Sequence, residues 1–155
     1  MSQNMENGIF ARKSDYLDCY VQIGIASGRV ISVSFPNSPD ENSEENGQLL
    51  DDIFSYLEGK RIDFTHIEVG LTISGDERRL LEKTREIPYG EQISVRQLVQ
   101  MVSTLDSDSD DDIELARQTL AENPVPLIIP DHRIRDGPSA APPGIEQKLR
   151  SLENL

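Results

Sequence analysis

The chain has 155 residues, enough for one domain or two small ones. Its 28 Asp and Glu against 15 Lys and Arg give a formal net charge of −13, which leaves no overall basic character with which to neutralise phosphates. No stretch approaches the ~18 apolar residues of a membrane span, so no membrane partner is expected. The opening MSQNMENG lacks the basic and apolar regions of a secretion signal, and the single cysteine, Cys19, excludes an internal disulfide. A cytoplasmic location follows as the expectation. Eleven of the fifteen basic residues are Arg. Many acids, little Lys and a modest apolar fraction are like the proteins of salt-in halophiles, where salt screens self-repulsion, and a haloarchaeal source is the expectation.

In chain order, Tyr16–Ala26 and Arg29–Phe35 are β-rich runs joined at Ser27-Gly28 in a hairpin-like turn. Cys19 lies in the first run and reads as a small buried residue. The polar stretch 37–47 is a surface loop. Gln48–Glu58 carries Leu49, Leu50, Ile53, Phe54 and Leu57 at helical spacing and stops at Gly59. Ile62–Ile73 reads as mixed strand and connection, with His66 as a satisfied structural histidine.

The second half is helical. Gly75–Glu86 has Leu80, Leu81 and Ile87 at helical spacing, and IPYGEQIS breaks it. Ser94 is a good N-cap for a helix over Val95–Val102. The acidic run Ser107 to Asp112, with Asp106 before it, precedes a helix over Ile113–Glu122. That run is similar to a calcium loop only superficially: Asp111 stands where an EF-hand needs Gly and Arg117 where it needs Glu. No metal or cofactor is expected.

Asn123–Arg135, NPVPLIIPDHRIR, is the most informative stretch. Pro124, Pro126 and Pro130 punctuate a short apolar run, Leu127 to Ile129, read as a buried strand. Asp131, His132 and Arg133 then fall at the mouth of a site. The Pro/Gly-rich loop DGPSAAPPG follows, and Ile145–Leu152 closes as a helix.

These residues resemble the O6-alkylguanine-DNA alkyltransferases (methylated-DNA–protein-cysteine methyltransferases), whose active-site segment is NPxPxxxPCHR. LLEKTREIPYGEQIS looks like their segment ending in PYGxxxSY, and GIEQKLRSLE resembles their closing GLxxKxxLL helix. The resemblance implies an α+β fold. Residues 1–74 would form a small ribonuclease-H-like sheet-plus-helix domain. Residues 75–155 would form a winged helix-turn-helix alkyltransferase domain. By the same resemblance Asn123 and Pro130 belong to the binding segment, and His132 is the histidine that activates the acceptor.

Functional positions depart from the family pattern. Asp131 stands at the acceptor Cys. Val95 stands at the Tyr that helps rotate the target nucleotide out of the stack. Glu114 replaces the Arg that fills the vacated space, and Ala141 replaces the Tyr that walls the base pocket. Flipping a base costs a few kcal/mol, which an inserted side chain partly offsets. Residues 75–155 hold sixteen carboxylates against ten Lys and Arg. Arg96, Arg117, Arg133 and Arg135 are the candidate phosphate contacts. The expected function is recognition of alkylated guanine in double-stranded DNA without alkyl transfer, by a monomer that passes the lesion to repair proteins. A protein-contact scaffold that has left DNA is the alternative. A third is an enzyme with residual transfer, or with Asp131 and His132 as an acid–base pair.

Overall fold

A computed structural model describes residues 6–155. The fold is α+β: among the described residues it has one three-stranded sheet, five α-helices and one 3-10 turn. Contacts divide the chain between Gly70 and Leu71 into two compact units.

The first unit is built on antiparallel strands β1 (Gly8–Ser14), β2 (Cys19–Ala26) and β3 (Arg29–Ser34), in that order across the sheet. Ser27 and Gly28 both have positive φ, 53° and 73°, as a two-residue hairpin that follows strand twist requires. Val21, Ile23, Phe10 and Val33 face the core, and Phe10 pairs with Ile23 and Ile23 with Val33 across the ladders. Helix α1 (Gln48–Leu57) buries Leu49, Leu50, Ile53 and Leu57 of the predicted stripe, leaves Phe54 half-buried and adds Tyr56. Cys19 is buried in β2. Strand β1 has no counterpart in the sequence reading. Ile62–Ile73 forms no strand, contributing only an isolated bridge from Val69 to Val30. His66 is exposed on a turn rather than built into the structure.

The second unit packs α2 (Gly75–Thr84), α3 (Val95–Gln100) and α4 (Asp110–Ala121) around Leu80, Ile87, Val95, Leu98, Val99, Ala116, Leu120 and Ile134. Ser94 closes a capping box with Gln97 at the start of α3. Helix α3 ends at Gln100, two residues before the expected limit. Helix α4 starts at Asp110 rather than Ile113, because Ser109 caps it by accepting from the Asp112 amide. The acids at 110–112 form its first turn, where the helix dipole favours negative charge. Helix α5 (Pro143–Leu152) closes the chain.

Between them, Ile134 pairs with Ile93: the Ile93 amide donates to Arg133 O at 3.0 Å and the Arg135 amide to Ile93 O at 2.9 Å. Asp136 then accepts from the Val95 amide at 2.8 Å, adding a second cap to α3. At Gly137 a Cβ would lie 2.9 Å from Ile134 Cγ2, 3.0 Å from Val95 Cγ2 and 3.1 Å from Leu120 Cδ1. All three are buried, so they have little room to yield. Gly137→Ala is therefore expected to lower stability by about 1–3 kcal/mol, read as a fall in urea midpoint. An unchanged midpoint would show that this corner repacks freely.

Candidate functional site

The segment Asn123–Arg135 folds differently from its sequence reading. Leu127–Ile129 is not a strand. Leu127 has φ of 79°, a strained value for a branched side chain, and the chain doubles back so that the Ile129 amide donates to Val125 O at 2.9 Å. The prolines leave few amides for a ladder, so the apolar run is buried as a turn. Asn123 pins this turn. Its Oδ1 accepts from the Val125 amide at 3.0 Å and its Nδ2 donates to Ile129 O at 3.0 Å.

The 3-10 turn Asp131–Arg133 follows. Its side chains are not at a mouth: Asp131 and His132 are fully buried and Arg133 nearly so. Asp131 Oδ1 lies 2.5 Å from Ser139 Oγ. Its Oδ2 accepts from the Ala140 amide at 2.9 Å and from Asn123 Nδ2 at 3.1 Å. Burial pushes the Asp131 carboxyl above the usual aspartate range; hydrogen bonds from Ser139, Ala140 and Asn123, and the neighbouring His132, oppose that without cancelling it.

His132 and Arg133 converge on one carboxylate that sequence reasoning missed, Glu153. His132 Nε2 lies 2.7 Å from Glu153 Oε2. Arg133 donates from Nε to Oε1 at 2.8 Å and from Nη2 to Oε2 at 3.1 Å, with Nη1 on Ile87 O at 2.7 Å. The Gly90 amide adds a bond to Oε1 at 2.9 Å, aimed there by a φ of 79° that suits glycine. The Arg133 guanidinium also lies 5.8 Å from the Tyr89 ring centre. Burial alone would raise the Glu153 carboxyl. The bonds from His132 and Arg133 outweigh it and hold the group down at about 2. Glu153 lies just past α5, twenty residues after Arg133, and no spacing rule points to it.

The other predicted residues are dispersed. Val95 is buried in the core, and Ala141 and Pro130 are buried beside the Asp131 cluster. Arg96 is exposed and paired with Asp108 at 3.0 Å. Arg135 is exposed, with a long 3.5 Å bond to Gln97. Arg117 is half-buried on α4, and Glu114 is exposed there beside Asp110 and Asp111. Arg133 is held inside by Glu153, not presented to a ligand.

This architecture is the fold of the O6-methylguanine methyltransferases. Mycobacterium tuberculosis OGT in complex with DNA superposes with a TM-score of 0.71 at 16% identity, over 95% of this chain and 91% of that one. The O6-methylguanine-DNA methyltransferase of Pyrococcus kodakaraensis gives 0.68 at 18% identity, over 96% and 100%. No family model matches the sequence. The methylated-DNA–protein-cysteine methyltransferase of Methanopyrus kandleri is 31% identical over 129 residues, 80% of this chain and 93% of that protein. The chain belongs to the methylated-DNA–protein-cysteine methyltransferase family.

Proposed function

We propose that this chain recognises alkylated guanine in double-stranded DNA and does not take up the alkyl group, Asp131 standing where its family places the acceptor cysteine. The observation that carries this reading is the state of the Asn123–Arg133 segment. Asn123, His132 and Arg133 are all held in a specific, buried hydrogen-bonded frame, while the residue at its centre is a carboxylate. Displacement at an alkyl carbon favours a soft thiolate. A carboxyl group whose oxygens already serve Ser139, Ala140 and Asn123 is a poor substitute. Cys19 lies buried in β2 of the other unit.

In this reading the first unit is ribonuclease-H-like. Helices α3 and α4 are a helix-turn-helix, with residues 133–142 as its wing. Arg96, Arg117 and Arg135 supply phosphate contacts, and molar salt supplies the screening that the acidic surface needs. The protein acts as a monomer and passes the lesion to other repair proteins. Intact-mass spectrometry after incubation with an O6-methylguanine duplex tests the first half. No methyl adduct is expected on the wild-type chain, whereas Asp131→Cys is expected to acquire one. A methyl ester on Asp131, or a thioether on Cys19, would overturn the reading.

A second reading rests on α4. Its solvent face carries Asp110, Asp111 and Glu114, with the exposed Glu122 just past its end, and negative charge there opposes phosphates. On that account the fold serves protein contacts and binds no DNA at any salt.

A further inference from the structure

Residues 137–142 have few backbone ties of their own. Pro138 and Pro142 have no amide hydrogen. The amide of Ala140 goes to Asp131 Oδ2 at 2.9 Å, and that of Ala141 to Ser139 Oγ at 3.1 Å. Ser139 Oγ in turn lies 2.5 Å from Asp131 Oδ1. On the other side, Asn123 Nδ2 reaches the same carboxyl at 3.1 Å. Three donors, from the loop before the 3-10 turn and the loop after it, thus converge on one buried carboxyl group. Three convergent donors around two oxygens form a cradle for a planar oxygen pair, and here the chain supplies that pair itself.

We propose that residues 137–142 are a strap latched by Asp131, which fills from within the chain an oxygen-binding cradle made by Asn123, Ser139 and Ala140. The latch is a contact of the folded protein in the absence of DNA. Its consequence rests on the proposed function: a base enters this site only when Asp131 releases the strap. Asp131 then suppresses the family reaction twice, by lacking a thiol and by holding the site closed. Small carboxylates are the ligand class that the emptied cradle takes.

The test needs no DNA, so its failure is distinct from a failure of the lesion-recognition reading. Amide hydrogen exchange is followed residue by residue in the full chain. Protection of Ala140 is expected in the wild type and in Asp131→Asn, whose amide oxygen can accept from Ala140 and Asn123 while its nitrogen donates to Ser139. In Asp131→Ala, exchange at Ala140 and Ala141 is expected to rise by roughly tenfold or more, the loss of one buried hydrogen bond, and by more than at any amide of α2 to α4, which follow only the stability of the unit as a whole. Sodium formate, but not sodium chloride at the same concentration, is expected to restore protection in that variant. If Asp131→Ala fails to fold in chloride, refolding in formate alone reads the same cradle. The latch is wrong if Ala140 exchanges like open chain in the wild type or in Asp131→Asn. It is also wrong if Asp131→Ala leaves the strap protected, loosens the whole unit evenly, or responds equally to both salts.

Discussion

Glu153→Ala is expected to destabilise the second unit by about 3–5 kcal/mol, the cost of leaving buried charge without its partner. Glu153 is fully buried and receives His132, two nitrogens of Arg133 and the Gly90 amide. Removing it leaves the buried Arg133 cation without its carboxylate, held by Ile87 O and beside the Tyr89 ring. Urea denaturation followed by circular dichroism measures the loss; a change below about 1 kcal/mol, the range of a surface pair, would contradict the burial. The same residue sets an acid limit. Its folded pKa, near 2, lies below its ordinary 4.5. The stability it contributes is therefore fully present above about pH 4.5, and is lost as pH falls from there towards 2. In Glu153→Gln that part of the acid transition should vanish.

The second large effect belongs to Asp131, with the opposite sign. Its folded pKa is raised, with burial the first cause. Its favourable contribution is complete below the ordinary aspartate range and is lost as pH rises through the folded value. Asp131→Asn keeps the shape and the bonding partners but cannot ionise. The variant is expected to be more stable than the wild type at neutral pH, with a margin that shrinks as pH is lowered. Asp131→Ala instead orphans the Ala140 amide, at about 1–3 kcal/mol for a buried group left unsatisfied, and leaves Asn123 Nδ2 with its bond to Ile129 O alone. Denaturation midpoints of the three proteins, measured from acid to neutral pH, separate these cases. A wild type that gains on Asp131→Asn as pH rises would reverse the assigned sign.

Much of the fold was legible because local signals and burial agree. The Ser27-Gly28 turn, the α1 stripe and the Ser94 cap each rest on interactions within a few residues. The family segments supplied the order of the second unit. The failures have physical causes. In Leu127–Ile129 a short apolar run marks burial without fixing the backbone, and the prolines with a left-handed Leu127 make a turn of what reads as a strand. Strand β1, GIFARKS, gains its pairing from β2 and from a bridge to Glu44, both distant in sequence, and its Arg12 and Lys13 hide the pattern.

At the site, the sequence named Asp131, His132, Arg133 and Asn123 but not what they touch. Glu153, Ser139 and Ala140 come from a helix end and a loop, brought in by tertiary packing alone. Arg133 illustrates the cost. As a residue type it suggested phosphate; its surroundings make it the buried partner of a carboxylate.

Lesion recognition without transfer is tested most directly by binding. Fluorescence anisotropy of the purified chain in molar KCl compares a duplex carrying one O6-methylguanine with the same duplex unmodified. Tighter binding to the methylated duplex, with no methyl adduct left on the protein, is the predicted result. A folded protein that binds neither duplex, or both equally, would contradict it.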